Sequence, residues 1–529
     1  MSLPATPQAP RATAMDAHTK RALALRRYAP ILALSLWAGC LYFQDLGGRS
    51  FWYDEAWVAT SVLSPSLGAA FEIEDAPQST PPLFLAALWL VARVAPSEAA
   101  LRLIPALCAL LAVPLFYMLA RRLTGRDGLA LIGAALLAFS PAFLRYAREL
   151  KQYSGDAAVA VVLFLLTERY CASRRRRDLV ALAGAAAVGV WFSSVSVVAV
   201  VALLTRMAVA AHTTDGDGAT RRPVAARLRA WALPIAALAL AAGFSFGLEY
   251  LVVLRGLAND SYLRGFWRSQ FLSEATLPES AALAVERTRE LAAFLARYHP
   301  GKGLALFSLY VVGSLAALLR RRLALAVYAI VPTLVAATLA LLERYPFGGN
   351  RTDLFLLPSV CLGVAGAFAL AWPSSPGRER VALALVGLGV VWIGTQATWL
   401  QLSRPFRREE LREPLAAMQA LRQPGDYVYV YYGAKPAFRY YARGAWDART
   451  VIGGEHRGSP ESYREELRQL LDGSQRPARW WLVFSHFGVR EDERDLVKQS
   501  FRERCRRGVR FSDYGAEVAL FVCGANAGM

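Results

Sequence analysis

Charged residues are scarce in this sequence. Asp, Glu, Lys and Arg together make up 19% of its 529 residues, whereas soluble globular proteins contain about 25%. Hydrophobic residues make up 55%, and the mean hydropathy is +0.30. This composition excludes an ordinary soluble protein and predicts an integral membrane protein.

Motifs for nucleotides and nucleic acids are also missing. The sequence contains no GxGxxG or Walker-type loop, so nothing in it indicates a nucleotide site. The net charge is +19, but no basic stripe accompanies an RNA- or DNA-binding motif. The arginines fall between apolar segments, where they indicate membrane topology.

Cysteine is rare, with six residues in the chain. Cys505 and Cys523 lie in the polar C-terminal tail and would be able to form a disulfide if that tail is outside the cytoplasm. The sequence leaves the bridged and free states open. The other four lie in or beside apolar segments, where a small hydrophobic side chain is the expected role: Cys40, Cys108, Cys171 and Cys361.

About eleven apolar segments are long enough to cross a hydrocarbon core of roughly 30 Å. The segment 178–211 is interrupted by Ser193, Ser194 and Ser196, which predicts two short spans that meet at a polar turn. The polar residues 1–28 precede a run without a small-residue cleavage site, so they are expected to be a cytoplasmic tail. The nine other spans are expected near 29–46, 101–120, 128–147, 157–172, 231–253, 303–319, 323–342, 353–372 and 381–402.

Basic residues cluster in alternate loops, and the positive-inside rule makes those loops cytoplasmic. Five outward regions follow from this assignment. The short apolar segment Pro82–Val94 is expected to form a helix on the outer surface, since a further crossing would place Arg121–Arg126 outside. The outward regions are 47–100, 148–156, 254–301, 343–352 and the tail from about 405.

The tail differs from the rest of the chain because its apolar runs are short. Tyr427–Tyr432, Trp480–Phe484 and Val518–Cys523 alternate with helix-like segments 459–472 and 490–506, a pattern typical of a small α/β domain. The expected fold is therefore mainly α. It has about eleven transmembrane helices over 29–403, a first outer loop at 47–100, and an α/β domain over 404–529.

An adjacent acid pair, Asp54 and Glu55, lies among aromatic residues in Phe51–Trp57, directly after the first span. Carboxylates beside large apolar rings at a membrane lose solvation, so such residues are functional candidates. The alternative is that both acids are solvated loop charges and that the rings form an interfacial aromatic belt.

The other outward loops supply further ionisable groups at the same membrane face. Arginine and lysine bind phosphate oxygens strongly, and a carboxylate can deprotonate an incoming hydroxyl. Together they suit glycosyl transfer from a lipid-linked phosphate, although an ordinary interfacial charge cluster remains the alternative. If the loop is helical, Glu149, Tyr153 and Asp156 share one face. The groups are Arg148, Glu149, Lys151, Tyr153, Asp156 and the segment 344–353.

Five short motifs follow one another along the first 160 residues. They are Trp52-Tyr53-Asp54-Glu55-Ala56-Trp57; Pro81-Pro82-Leu83-Phe84; Ser97-Glu98 with Leu101-Arg102-Leu103; Ala120-Arg121-Arg122-Leu123; and Ser140-Pro141 followed by Tyr146, Glu149, Lys151 and Tyr153. In this order they resemble the landmarks of the GT-C glycosyltransferases, especially the protein O-mannosyltransferase-like and lipid A aminoarabinose transferase-like members of bacteria.

The resemblance implies roles for individual residues. Asp54 matches the family's presumed catalytic base, and Asp156 matches a second acid of the site. Arg351, near Leu357-Pro358, matches an arginine assigned to the donor phosphate. Glu55 and Asp156 would orient the acceptor or tune the base. The remaining expected substrate-binding residues are Arg148, Glu149, Lys151, Tyr153, Tyr53 and Trp57.

No cofactor is assigned. Where relatives commonly carry His or Glu before the Pro-containing segment, this chain has Thr80, which removes a potential metal ligand. A divalent metal held by His299 with Glu55 stays open as an alternative.

The sequence thus predicts a multi-pass glycosyltransferase of the bacterial inner membrane. It would use a polyprenyl-phosphate-linked sugar, with Asp54 as general base, to modify a hydroxyl of a cell-envelope acceptor such as a glycan, lipid or protein. The N-terminus is expected to be cytoplasmic, and the site and the C-terminal domain periplasmic. A transporter or flippase, or a protein that binds lipid-linked sugar without catalysis, are the alternatives.

Overall fold

A computed structural model describes residues 17–71, 80–213, 224–273, 276–296, 300–443, 447, 449–474, 477–488 and 490–524. Helices dominate up to Ser403, and a five-stranded sheet with four helices follows. The prediction of a mainly helical membrane protein with a small C-terminal α/β part is confirmed.

Long helices lie at the predicted spans. Among the described residues, seven helices are long and apolar enough to cross a membrane, and three shorter apolar ones accompany them, so the chain is a multi-pass membrane protein. The predicted count of eleven spans stays a prediction. The longer helices are Ala17–Phe43, Glu98–Thr124, Asp127–Ala138, Tyr153–Ser173, Arg176–Phe192, Ser196–Thr213, Val224–Glu249, Leu277–Leu295, Pro300–Leu319, Leu323–Leu341, Leu357–Phe368 and Pro376–Ser403.

Short helical segments connect or flank these helices. Pro82–Val94 forms the predicted 13-residue helix, with proline in its first turn, where its missing amide needs no partner. The remaining short segments are Tyr53–Val62, Leu67–Phe71, Pro141–Tyr146, Tyr250–Leu254, Arg255–Ala258, Ser261–Trp267, Arg268–Gln270 and Arg351–Leu356.

Local chemistry explains the helix ends near the site. The Ser97 hydroxyl accepts a hydrogen bond from the Ala100 amide, which caps Glu98–Thr124 at its start, and Gly125 ends it with a left-handed conformation. Such caps satisfy the unpaired backbone groups of a helix end. The predicted turn within 178–211 is present, because Arg176–Phe192 ends at Ser193 and the next helix begins at Ser196.

One predicted span is wrong as a single helix. Residues 128–147 form two helices, Asp127–Ala138 and Pro141–Tyr146. Ser140 caps the second helix by accepting a hydrogen bond from the Phe143 amide, and Pro141 occupies its first position, where a new helix begins readily. This break turns the chain toward the outer loop that carries Lys151.

The C-terminal sheet has the strand order β2-β1-β3-β5-β4. Strand β1 pairs in parallel with β2 and β3, whereas β5 pairs antiparallel with β3 and β4. The strands are β1 (Tyr427–Val430), β2 (Thr450–Ile452), β3 (Ala478–Ser485), β4 (Cys505–Asp513) and β5 (Ala516–Cys523). The helical segments are Arg412–Leu421, Tyr432–Ala434, Lys435–Tyr441, Pro460–Gly473 and Glu491–Arg502.

Two details of this sheet extend the sequence analysis. The helix predicted over 490–506 ends at Arg502, and β4 follows it; the arginine-rich segment of β4 hid its strand character. Cys505 and Cys523 face each other on neighbouring strands and form a disulfide. That pairing answers the question that the sequence left open.

Candidate active site

The acid pair of the first outer loop opens a short helix. Trp52 has an extended backbone, and the helix Tyr53–Val62 begins after it, with Asp54 and Glu55 in its first turn. Carboxylates are favourable there because the helix N-terminus carries partial positive charge. Successive residues of a helix point about 100° apart, so the two acids face different surroundings.

Glu55 lies in a fully buried ion pair with Arg102, and both side chains are 0% exposed. Its carboxylate accepts hydrogen bonds from Arg102 Nε at 2.8 Å and Nη2 at 2.7 Å, and from the Leu150 amide at 2.7 Å. Burial raises the pKa of Glu55, but the field of Arg102 outweighs that effect and leaves the pKa below its ordinary value. This carboxylate is charged at neutral pH and shielded from solvent.

Arg102 fastens several loops around this pair. Its guanidinium donates to the carbonyl oxygens of Leu46, Arg49 and Ser50 at 2.7 to 3.1 Å. Arg102 belongs to the sequence motif Leu101-Arg102-Leu103, from which no role for it was predicted. Its charge inside the apolar helix Glu98–Thr124 was the available signal, because buried charges are normally paired. We reassign Glu55 from the predicted catalytic group to a residue that holds the outer loops together.

Asp54 faces the other way and pairs with Arg351. Asp54 Oδ2 and Arg351 Nη1 are 2.5 Å apart, and the side chains remain 14% and 24% exposed. The Arg351 guanidinium lies 5.8 Å from the ring of Trp52 and 5.9 Å from that of Trp267, within cation–π range. This pair joins residues 297 positions apart and leaves both charges within reach of a ligand.

A tight turn positions Arg351. Gly348 and Gly349 have φ values of 141° and 71°, which disfavour residues with a Cβ. The amides of both glycines donate to Asp353 Oδ2 at 3.0 and 2.9 Å, and Asn350 caps the short helix Arg351–Leu356. Asp353 therefore fixes the backbone from which Arg351 projects.

Lys151 and Tyr153 lie in the electrostatic field of the Asp54–Arg351 pair. Burial lowers the pKa of Lys151 to about 8, partly opposed by Asp54 and assisted by Arg351. The ring of Tyr153 packs edge-on against Tyr146, with centroids 5.2 Å apart. Lys151 therefore places a second cation beside the Asp54–Arg351 pair, and Tyr153 and Tyr146 place aromatic rings there.

Glu149 lies nearby but does not share a helical face with Tyr153 and Asp156, because the helix begins only at Tyr153. The common face was expected only if this loop is helical, and the structure does not meet that condition. Glu149 instead accepts a hydrogen bond from Arg145 Nε at 2.9 Å. One of its oxygens, Oε2, is buried without a hydrogen-bond partner in the described part of the chain.

Two predicted site residues lie apart from Asp54 and Arg351. Asp156 is buried near Ser193 and in the field of Glu249, and its Oδ1 atom has no hydrogen-bond partner among the described residues. Arg148 is buried beside Arg49, whose Nη2 donates to the Arg148 carbonyl oxygen at 2.6 Å. The structure therefore separates both residues from the acid–arginine pair.

Tyr53 connects the first outer loop to the C-terminal α/β part. Its ring stacks on His486 with centroids 4.1 Å apart and an interplanar angle of 14°, and it contacts Trp57 edge-on at 6.2 Å. Glu409 accepts hydrogen bonds from the Tyr53 amide and pairs with His486 Nδ1, both at 2.9 Å. The predicted residues Tyr53 and Trp57 thus lie at a contact that includes two residues the sequence analysis missed.

A cavity of about 560 Å³ adjoins this contact. His486 follows β3, so the cavity lies partly at the carboxyl end of a parallel strand pair, a frequent position for binding crevices. The guanidinium of Arg408 lies 3.6 Å from the ring of Trp52, and that of Arg351 lies 5.8 Å from the same ring, so Trp52 connects the cavity wall to Arg351. The lining includes Arg408, Glu409, His486, Phe487, Arg510 and Tyr514.

Known proteins match both the sequence and this architecture. Residues 79–241 match the family model for dolichyl-phosphate-mannose-protein mannosyltransferase. The crystal structure of ArnT from Cupriavidus metallidurans in the apo state is 15% identical, with a TM-score of 0.54 over 94% of this chain and 98% of that chain. The chain therefore shares the fold of ArnT, in agreement with the GT-C fold expected from the sequence.

Two further comparisons complete these findings. ArnT from the same organism, bound to undecaprenyl phosphate, aligns with a TM-score of 0.53, 15% identity and the same coverage of 94% and 98%. The oligosaccharyltransferase of Archaeoglobus fulgidus aligns with a TM-score of 0.48 and 13% identity, over 95% of this chain and 75% of that chain, too distant to support an argument. No curated protein sequence matches this chain.

Metal ligands are not gathered in the described part of this chain. No three His, Cys, Asp or Glu residues stand close enough there to hold a metal ion. Thr80 is buried, and its hydroxyl has no hydrogen-bond partner among the described residues. The alternative ligand His299 lies outside the described residues, and Glu55 is already occupied by Arg102.

Proposed function

We propose that this chain transfers a sugar from a polyprenyl-phosphate-linked donor to a hydroxyl of an acceptor, with Asp54 as general base. The observation that carries the proposal is the partly exposed Asp54–Arg351 pair at 2.5 Å, which places a carboxylate beside a phosphate-binding cation. The GT-C fold and its likeness to ArnT, whose structure was determined with undecaprenyl phosphate, support this choice of donor.

The pair explains how donor binding prepares the base. A donor phosphate competes for the Arg351 guanidinium, since arginine binds phosphate oxygens with strong charge-assisted hydrogen bonds. Asp54 then loses its partner and is available to accept the proton of an acceptor hydroxyl. The hydroxyl oxygen forms a bond to the anomeric carbon, the bond from that carbon to the phosphate oxygen breaks, and polyprenyl phosphate leaves. Attack opposite the leaving group inverts the anomeric configuration.

Neighbouring groups complete the donor site. Lys151 adds a second cation for the phosphate, and the rings of Trp52 and Trp267, both beside Arg351, offer faces for the sugar. Tyr153 and Glu149 are proposed as nearby polar contacts. Asp156 is proposed as a second acid that acts on a ligand reaching deeper than Asp54, at the turn around Ser193.

The acceptor is proposed to enter through the cavity beside His486. This route brings it past Tyr53 to the carboxylate of the neighbouring Asp54. We place this face and the C-terminal domain, 404–529, on the periplasmic side of a bacterial inner membrane, and residues 1–28 on the cytoplasmic side. The disulfide between Cys505 and Cys523 supports that orientation, because disulfides persist in oxidising compartments.

Arg351→Gln tests the donor-phosphate role. The variant is expected to raise the donor KM about tenfold or more, because a charge-assisted hydrogen bond contributes roughly 1.5–3 kcal/mol. Steady-state kinetics with purified protein in lipid, with the donor varied, measure the effect. Arg344→Gln is the matched control, since Arg344 is an exposed cation in the segment that precedes Arg351. An unchanged donor KM in Arg351→Gln would show that Arg351 does not bind the donor phosphate.

The pH dependence of donor binding tests Lys151. Its pKa of about 8 means that the free protein loses this cation as the pH rises through 8. A phosphodiester donor does not titrate in this range, so we expect donor affinity to fall above pH 8. In Lys151→Arg the cation persists, and the alkaline fall should disappear. The same fall in both proteins would contradict a role for Lys151.

A further inference from the structure

Arg49 and Arg148 form a buried pair of like charges. Each side chain is only 7% exposed, and Arg49 donates to the carbonyl oxygen of Arg148, not to a carboxylate. The Nε atoms of both residues are buried without a hydrogen-bond partner among the described residues. Unpaired buried cations are costly, so such an arrangement calls for an anion.

Nearby carboxylates meet this need only in part. The exposed Asp45 acts on Arg148 through its charge, but the other carboxylates have partners of their own. Glu55 is occupied by Arg102, Glu149 Oε1 by Arg145, and Glu410 Oε2 accepts from the Ser50 amide at 2.7 Å. Burial, assisted by the charge of Arg49, lowers the pKa of Arg148 to about 10. Arg148 is therefore still charged at neutral pH.

The pair lies where the chain leaves the membrane helices. The helix Pro376–Ser403 ends just before Phe406, whose ring lies 5.7 Å from the Arg49 guanidinium and 4.1 Å from that of Arg145. This position suits the headgroup level of a bilayer, where arginines meet lipid phosphates. Arg148 lies in the field of Arg49, Asp45 and Arg102, whereas Asp54 pairs with Arg351. Glu149 acts on both Arg49 and Arg351, so the two cationic centres are neighbours with different partners.

We propose that Arg49 and Arg148 form a second anion site that binds a lipid-borne phosphate, apart from the donor phosphate at Arg351. Two neighbouring guanidiniums can engage a phosphate through the forked geometry that arginine favours. The phosphate belongs either to a membrane phospholipid or to the lipid-linked substrate. Both molecules carry a phosphate group on a lipid, so both can bind to the two guanidiniums. The proposal stands independently of turnover.

Phosphate binding to the full chain in neutral detergent tests the site. The probes are dihexanoyl phosphatidic acid, undecaprenyl phosphate and inorganic phosphate, titrated by calorimetry and followed by the melting temperature. Arg148→Met is expected to weaken binding of dihexanoyl phosphatidic acid about tenfold or more. Without a probe its melting temperature should equal or exceed that of the native chain, because an unpaired buried charge is removed.

Three companion measurements separate the outcomes. Arg344→Gln should bind as the native chain does, and Arg351→Gln should retain phosphatidic acid binding, which would support a separate site. Tighter binding of undecaprenyl phosphate than of phosphatidic acid would identify the lipid-linked substrate as the source of the bound phosphate. Tighter binding of phosphatidic acid would identify a membrane phospholipid as that source. Equal affinity for inorganic phosphate would overturn the lipid assignment. A lower melting temperature in Arg148→Met, with phosphatidic acid binding unchanged, would make Arg148 a structural residue and overturn the site.

Discussion

Asp54→Asn is expected to lower kcat by two to four orders of magnitude, the usual contribution of a general base. The amide keeps the size of the side chain but cannot take the acceptor proton. Donor binding should persist or become tighter, because Arg351 loses the carboxylate that competes with the phosphate. Steady-state kinetics and a separate binding measurement with undecaprenyl phosphate distinguish these two effects.

Asp45→Asn is a suitable control for this substitution. Asp45 is exposed in the same outer loop, and its left-handed backbone, with φ of 54°, is one that Asn tolerates well. The turnover of the Asp45→Asn variant should match that of the native chain. Full turnover in Asp54→Asn would exclude Asp54 as the base, and equal losses in kcat and in donor binding would point to a structural effect instead.

Glu55→Ala is expected to destabilise the protein by about 3–5 kcal/mol, since removing one partner of a buried ion pair leaves the other charge unpaired. Arg102 would remain fully buried with no carboxylate among its contacts. Thermal unfolding in detergent is the measurement, read as a fall in the melting temperature. Loss of the hydrogen bond to the Leu150 amide should also loosen the loop that carries Lys151.

The double substitution Glu55→Met with Arg102→Met separates structure from catalysis. Well-packed apolar residues often replace a buried ion pair at little cost, so this variant should recover much of the lost stability and some turnover. If Glu55→Ala keeps the melting temperature of the native chain but loses turnover, Glu55 acts in catalysis and not in holding the loops.

Much of the fold could be read from the sequence. Apolar length and the positions of the arginines predicted the long helices, the short helix Pro82–Val94 and the polar turn near Ser193, because hydrophobicity and helix length are local properties. The break at Ser140-Pro141 was missed, although its capping signal was present. The strand β4 was missed because its alternating pattern is obscured by arginines.

The candidate site could be predicted only in part. The motif around Asp54 gave the position of the acids, but adjacent helical residues point in different directions, and only three-dimensional packing assigns Glu55 to Arg102 and Asp54 to Arg351. Arg148 and Lys151 are three residues apart in one loop, yet they lie beside different groups. Sequence proximity could not separate a cation near Asp54 from one near Arg49.

The residues that the C-terminal α/β part adds to the candidate site could not be predicted from the sequence either. Glu409 and His486 contact Tyr53 across more than 350 residues of chain, and no local pattern encodes such a distance. A single histidine after a strand is usually unremarkable. Its stacking on the aromatic residue beside Asp54 gives it a possible function only once the tertiary structure is known.

We propose that this chain moves a sugar from a polyprenyl-phosphate donor with Asp54 as the base. The most direct measurement is the release of radiolabelled sugar from a panel of undecaprenyl-phosphate sugars by the purified chain in lipid, with Asp54→Asn beside it. We predict turnover with at least one donor by the native chain and its loss in the variant. Saturable binding of the donors without turnover by the native chain would contradict the claim and favour a protein that binds or transports lipid-linked sugar.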